Sequence, residues 1–218
     1  LEGTFINQIT EDSLGNMWFG TNNAGASRYD GKTFVRYDYK KGLGSNNVTS
    51  FACSKDRVYI GTGEGLYEFD LVFEQLRRIT SVRNITALHI NNAGELFVAA
   101  DTILYNYQTG QLQVISFPKG AEQKHVTALS SDAAGVLYVG CENGLMLYKS
   151  AAKMWSDNSI TTTLSQKKIA HITRDHLGSM WIATFNNLVV RAEVDGRMSL
   201  YNRSNGLTAD NVFMITED

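Results

Sequence analysis

Proline, cysteine and histidine are scarce, and each scarcity narrows what the chain can be. The only proline, Pro118, follows a stretch read as an outer strand, where a missing N–H costs no ladder bond. The only cysteines, Cys53 and Cys141, fall at non-equivalent points of the repeating pattern described below. A disulfide needs Cα atoms about 4.4–6.8 Å apart, so two buried free thiols are expected instead. The four histidines, His89, His125, His171 and His176, also differ in phase, and none has Cys or Glu partners at zinc-like spacing. No Gly-x-Ser-x-Gly elbow is present. The expectation is no metal, no cofactor and no catalytic residue. Charge is equally sparing: 20 basic against 22 acidic residues leave −2, without a Lys/Arg cluster to hold a nucleic acid or an anionic membrane. No apolar run approaches the ~18 residues of a spanning helix, so no direct membrane insertion is expected.

What the chain does have is a repeat. Hydrophobic residues make up 43% and charged residues 19%, an ordinary globular balance, and 218 residues suffice for one all-β domain over 1–218. The stretch Ile9–Thr21, ITEDSLGNMWFGT, returns in degraded copies. Its aromatic recurs as Trp18, Tyr59, Phe97, Tyr138 and Trp181, followed by the small pairs Gly20-Thr21, Gly61-Thr62, Ala99-Ala100, Gly140-Cys141 and Ala183-Thr184. A period of about 40 residues with strand-like content predicts an all-β fold, a β-propeller of about five four-stranded antiparallel blades. The repeats are set at approximately 5–46, 47–84, 85–125, 126–168 and 169–211. Ile215-Thr216-Glu217-Asp218 repeats Ile9-Thr10-Glu11-Asp12, so 212–218 is expected to supply one strand of a sixth blade, and the chain to be a fragment of a larger propeller.

Repeat one predicts strands at Ile6–Glu11, Met17–Gly20, Ala26–Asp30 and Thr33–Tyr37. Asp12-Ser13-Leu14-Gly15 supplies a side-chain acceptor and a positive-φ glycine for the first turn, a device repeated at Asn91…Gly94, Asp132…Gly135 and Asp175…Gly178. In repeat two Ser54-Lys55-Asp56-Arg57 lacks the glycine, which would leave the turn to Asp56. The last strand of repeat four is hard to place: Met154-Trp155 is apolar, but Asn158–Gln166 is a Thr/Ser-rich insertion. Trp18 and Trp181 hold a strand position that is apolar in every repeat, which assigns them to the blade core.

The segments Asp12–Thr21, Gly65–Asp70, Asp175–Thr184 and Gly206–Val212 together resemble the two-component regulator propeller repeat, with repeat three furthest from the pattern at Ala99-Ala100. Streptogramin-lyase-type propellers share a similar grammar. The resemblance implies the periplasmic sensor region of a hybrid two-component histidine kinase, in which two sevenfold propellers and a β-sandwich stalk precede a membrane span and a cytoplasmic kinase. It also implies a homodimer through the parent receptor and an oligosaccharide as the sensed ligand.

Propellers gather loops around one channel mouth. By strand order, loops after second strands and the linkers between blades emerge on the same side. They carry Asn22, Asn23, Asn47, Glu64, Asn84, Asp101, His125, Glu142, Asn143, Phe185, Asn186 and Asn187 as candidate ligand-binding residues. Amides, carboxylates and an aromatic suit a sugar's hydroxyls and apolar face, although Asn also serves turns through its αL tolerance. A non-catalytic sensor segment is the first expectation and a structural or protein-interaction propeller the alternative. A lyase or hydrolase is the third; Glu64 and Glu142 are the carboxylates that a glycosidase would need.

Overall fold

The computed structural model describes residues 5–108, 110–122, 124–185, 187–208 and 211–217. Among them, twenty strands form five four-stranded antiparallel sheets, each a simple meander, and these are the blades of a β-propeller. Blade one is β1 (Ile6–Glu11), β2 (Met17–Thr21), β3 (Ala26–Tyr29) and β4 (Phe34–Tyr37). Blade two is β5 (Val48–Cys53), β6 (Arg57–Thr62), β7 (Gly65–Asp70) and β8 (Gln75–Thr80). Blade three is β9 (Ile85–Ile90), β10 (Leu96–Ala100), β11 (Ile103–Gln108) and β12 (Gln111–Ile115). Blade four is β13 (Val126–Ser131), β14 (Val136–Cys141), β15 (Gly144–Lys149) and β16 (Met154–Ser156). Blade five is β17 (Ile169–Arg174), β18 (Met180–Thr184), β19 (Val189–Ala192) and β20 (Met198–Tyr201). Two compact units divide the chain: the first holds blades one and two and most of blade three, the second blades four and five.

The turn after the first strand explains the Asp-x-x-Gly pattern. Asp12 Oδ1 accepts from the backbone N–H of Leu14 and Asn16, and the Gly15 N–H, at φ +82°, donates to the Asp12 carbonyl. Asp12 Oδ2 then accepts from the Trp18 indole N–H at 2.8 Å, which ties the turn to a fully buried ring in the next strand. Blade five repeats the arrangement with Asp175 and Trp181. In blade two the glycine-free turn closes through Ser54 N–H donating to the Arg57 carbonyl at 2.8 Å, and Asp56 is not in a left-handed conformation. Asp56 lies in this turn with Lys55, as expected, and reverses the chain without a positive φ. Asp30, expected in a strand, is the pivot of the next hairpin, where its carboxylate accepts from the N–H groups of Lys32 and Thr33.

The small pair has a steric cause. A Cβ on Gly20 would sit 2.8 Å from side-chain carbons of both Val48 and Phe51. On Gly61 it would meet Ser50 Oγ at 2.5 Å and Ile85 at 2.6 Å, and on Gly140 Ile169 at 2.7 Å and Ile172 at 3.1 Å. Glycine lets the next blade's first strand lie directly on the second strand. At Gly20 and Gly140 the residues of the next blade that press on the glycine are three apart, and every first strand carries a register shift near its start, between Ile6 and Gln8, Val48 and Ser50, Val126 and Ala128, and Ile169 and His171, and opposite Ala99 and Ala100 in blade three. The extra residue changes which side chains share a face. Trp18, Val48, Phe51, Ile60 and Phe69 form one interblade core, Leu66, Ile85, Leu88 and Val98 a second, and Tyr138, Leu147, Ile169, Ile172 and Ile182 a third.

Two features depart from the repeat. The Thr/Ser-rich insertion forms α1 (Ser159–Thr163), capped by Asn158, whose side chain accepts from Ile160 N–H and Thr161 N–H, while β16 is placed at Met154–Ser156. Residues 211–217 form no strand, which corrects the expected start of a sixth blade within the described part of 212–218. Among the described residues no second strand lies beside them to complete a ladder, and a strand without one leaves its N–H and C=O groups unpaired. The segment nevertheless lies against blade five, where Ile215 N–H donates to His171 Nδ1 at 3.4 Å and Phe213 packs edge-on to Phe185.

Candidate functional site

One backbone hydrogen bond recurs in every blade and brings the predicted loop residues together. The N–H after the second strand donates to the carbonyl before the first: Asn22 to Phe5, Gly63 to Asn47, Asp101 to Asn84, Glu142 to His125 and Phe185 to Lys168, at 3.0–3.2 Å. The loop and the linker of each blade are thus a single fixed edge.

In the first unit these edges join. Asn84 N–H donates to the Gly63 carbonyl at 3.0 Å, and Asn84 Nδ2 to Asp101 Oδ2 at 3.0 Å. Asn84 and Asp101 both hold positive φ, at 53° and 52°, a geometry that Asn and Asp tolerate better than most side chains. Glu64 pairs with Arg83 at 3.0 Å, and its carbonyl accepts from the Arg78 guanidinium. Asn22, Asn23 and Asn47 are exposed on the same loops and linkers.

In the second unit Lys168 is the hub. Its ammonium donates to Glu142 Oε1 at 2.9 Å and lies 5.0 Å above the Phe185 ring. The Lys168 hydrogen bond, then its charge, holds the Glu142 carboxyl below its ordinary pKa, with the His125 side chain adding a smaller pull. A glycosidase acid needs the opposite shift. Asn143 is exposed beside them, and its carbonyl accepts from Lys124 Nζ at 3.0 Å. Asn187 holds φ 57° on the same loop, while Asn186 lies outside the described residues. Sequence reasoning named Glu142 and Phe185 but missed Lys168, whose signal was its place just before a first strand.

Burial governs both thiols and His171. Burial raises both thiols, Cys53 and Cys141, to about 11, and neither is in a disulfide. Burial lowers His171, whose ring nitrogen accepts from Ile215. Among the described residues no three His, Cys, Asp or Glu side chains are grouped to hold a metal, and no helix is long and apolar enough to cross a membrane.

Residues 1–23 match the two component regulator propeller family. Solved structures extend the likeness to the whole chain at the level of fold. The extracellular domain of a hybrid two component system from B. thetaiotaomicron aligns with a TM-score of 0.79 at 17% identity, covering 100% of this chain and 31% of that one. The extracellular domain of a one component system from B. thetaiotaomicron aligns at 0.67 and 18%, covering 98% and 36%. PorZ, a surface component of the type-IX secretion system of Porphyromonas gingivalis, aligns at 0.70 and 14%, covering 96% and 35%. The chain spans about a third of the length of these structures. No curated protein matches it.

Proposed function

We infer that the chain is a non-catalytic sensory propeller segment of a longer two-component receptor, placed in the periplasm, and that it recognises an oligosaccharide or passes that recognition on. The observation that carries this reading is the match of residues 1–23 to the two component regulator propeller family, set in a fold shared with extracellular domains of one component and hybrid two component systems. The loop chemistry supports it. Each loop edge is fixed by a backbone bond, and both candidate glycosidase carboxylates are tied to cations, Glu64 to Arg83 and Glu142 to Lys168. Fixed donors and acceptors on loops suit selective binding of a polyhydroxylated ligand, since little ordering entropy remains to be lost on association. In the parent receptor the segment would act within a homodimer.

A second reading, a protein-interaction propeller, draws on the fold likeness to the secretion-system component and on the mutual pairing of Asn84 with Asp101 and of Glu142 with Lys168. Calorimetric titration and thermal unfolding with neutral and acidic oligosaccharides separate the two. Saturable heat with a rise in melting temperature is the expected result. A chain silent to every glycan, but retained on the other domains of its own receptor, would replace the sensor reading with the interaction one.

A further inference from the structure

The insertion that sets repeat four apart builds a concavity. Helix α1 buries Ile160 and Leu164 in the core of blades four and five, and this anchors the segment against β15. Its polar side, the turn between β14 and β15, and the linker residues Pro118, Ala121 and Lys124 line an open groove of about 450 Å³. That volume falls in the range of small-ligand sites, roughly 300–1,000 Å³.

The lining is amphipathic. Pro118 and Met146 supply an apolar wall and floor, while Lys124, Asn143, Asp157 and Ser165 supply polar groups of every hydrogen-bonding type. Among the described residues, the side chains of Asn143, Asp157 and Ser165 have no hydrogen-bond partner, in contrast to the paired groups of the loop edges. The helix contributes side chains rather than its amides, because Asn158 already caps Ile160 N–H and Thr161 N–H. One lysine and one aspartate leave the lining without formal charge, so it exerts no net pull on an anion or a cation. Unpartnered amide, hydroxyl and carboxylate groups around an apolar floor match a ring that has hydroxyls on its rim and C–H groups on one face.

We propose that this groove of blade four binds one or two residues of a neutral sugar, with Asn143, Asp157 and Ser165 as hydroxyl partners and Met146 and Pro118 under the ring. The assignment rests on the oligosaccharide reading above and gives that reading a location.

The test is calorimetric titration of the chain with cellobiose, xylobiose, mannobiose and maltose, and with glycylglycine as a zwitterionic probe. Asp157→Ala and Asn143→Ala are followed alongside Ser165→Trp, which fills the groove, and the far-ultraviolet spectrum and melting temperature of each variant report folding. The expected result is binding of at least one disaccharide, weakened tenfold or more by Asp157→Ala and by Ser165→Trp in folded protein. Disaccharide binding that is lost with Asp101→Ala and unchanged by the groove variants would overturn the groove and leave the sensor reading intact. Binding of glycylglycine alone would overturn the sugar assignment. No binding of any disaccharide would overturn it too, together with the oligosaccharide reading on which it rests.

Discussion

Trp18 donates its indole N–H to Asp12 Oδ2 at 2.8 Å, and four blades later Trp181 makes the same bond to Asp175 at the same distance. The pair links the first turn of a blade to the core ring of its second strand. Trp18 is fully buried, whereas Trp181 is only partly so, stacked on Tyr201 with Arg191 over its face. Trp18→Phe removes the donor and leaves a gap beside Tyr37 and Phe69. Asn16 Nδ2 still donates to Asp12 Oδ2 at 3.0 Å, so the change is expected to cost about 1.5–3 kcal/mol from the lost bond to a carboxylate and more from the lost volume. Trp181→Phe should cost less. Urea unfolding of the two variants checks the order, and equal losses would refute the assigned difference in burial.

Asp12 and Asp175 set a pH dependence. Burial opposes ionisation of Asp12, but donation from Trp18, Asn16 and Leu14 outweighs it, and the folded pKa is lowered. Burial likewise opposes ionisation of Asp175, and Trp181, Ser179 and Arg191 reverse it. A carboxylate depressed on folding contributes stability that is complete above its unfolded pKa of ~3.9 and is lost as the pH falls through the lower folded value. Unfolding free energy measured from pH 6 down to pH 3 should therefore fall less steeply in Asp12→Asn than in the parent chain. Parallel curves would show that Asp12 titrates alike in both states.

Gly61 carries a steric requirement without a backbone one. Its φ lies outside the left-handed region, so Gly61→Ala tests only the contact with Ser50 and Ile85. Overpacking of this kind costs about 1–3 kcal/mol. At the equivalent place in blade three, Ala99 is already a methyl and fully buried, and Ala99→Gly should cost no more than about 1 kcal/mol. Denaturation midpoints of the two variants decide the matter.

The thiols should be slow to react. With both pKa values near 11, alkylation by iodoacetamide at pH 7.5 is expected to run roughly a hundredfold slower in the folded chain than in urea, because the thiolate is the nucleophile. Mass spectrometry over time reads the rate, and rapid labelling of native Cys141 would contradict its burial.

Helix α1 is held by its cap and by the buried side chains of Ile160 and Leu164. Asn158→Ala should cost about 1 kcal/mol, and Leu164→Ala, at a fully buried position, about 2–5 kcal/mol. Both are measurable by thermal unfolding.

The architecture was legible because turn and core signals recur together: Asp12 with Gly15, and Trp18 with Gly20, recur as Asp175 with Gly178 and Trp181 with Ala183. Strand edges erred where a side chain captured the backbone, as Asp30 does at Lys32 and Thr33. The insertion hid its helix because Thr and Ser favour helices weakly, and tertiary burial of Ile160 and Leu164 supplies what propensity does not. The loop residues were found through strand order alone. Their mutual bonds, and the part played by Lys168, depend on distances that no linear pattern encodes.

The shifted register of the first strands makes the blade transferable. Val48 and Phe51 close on Gly20 in the first unit, as Ile169 and Ile172 close on Gly140 in the second, and each pair sits at the same offset from its own extra residue. A blade therefore carries both halves of a joint, a small-residue socket on its second strand and a two-pronged plug on its first. Identical copies of blade two, joined through the linker that ends at Asn47, would meet plug to socket at every junction, the condition for building an array from a single consensus unit.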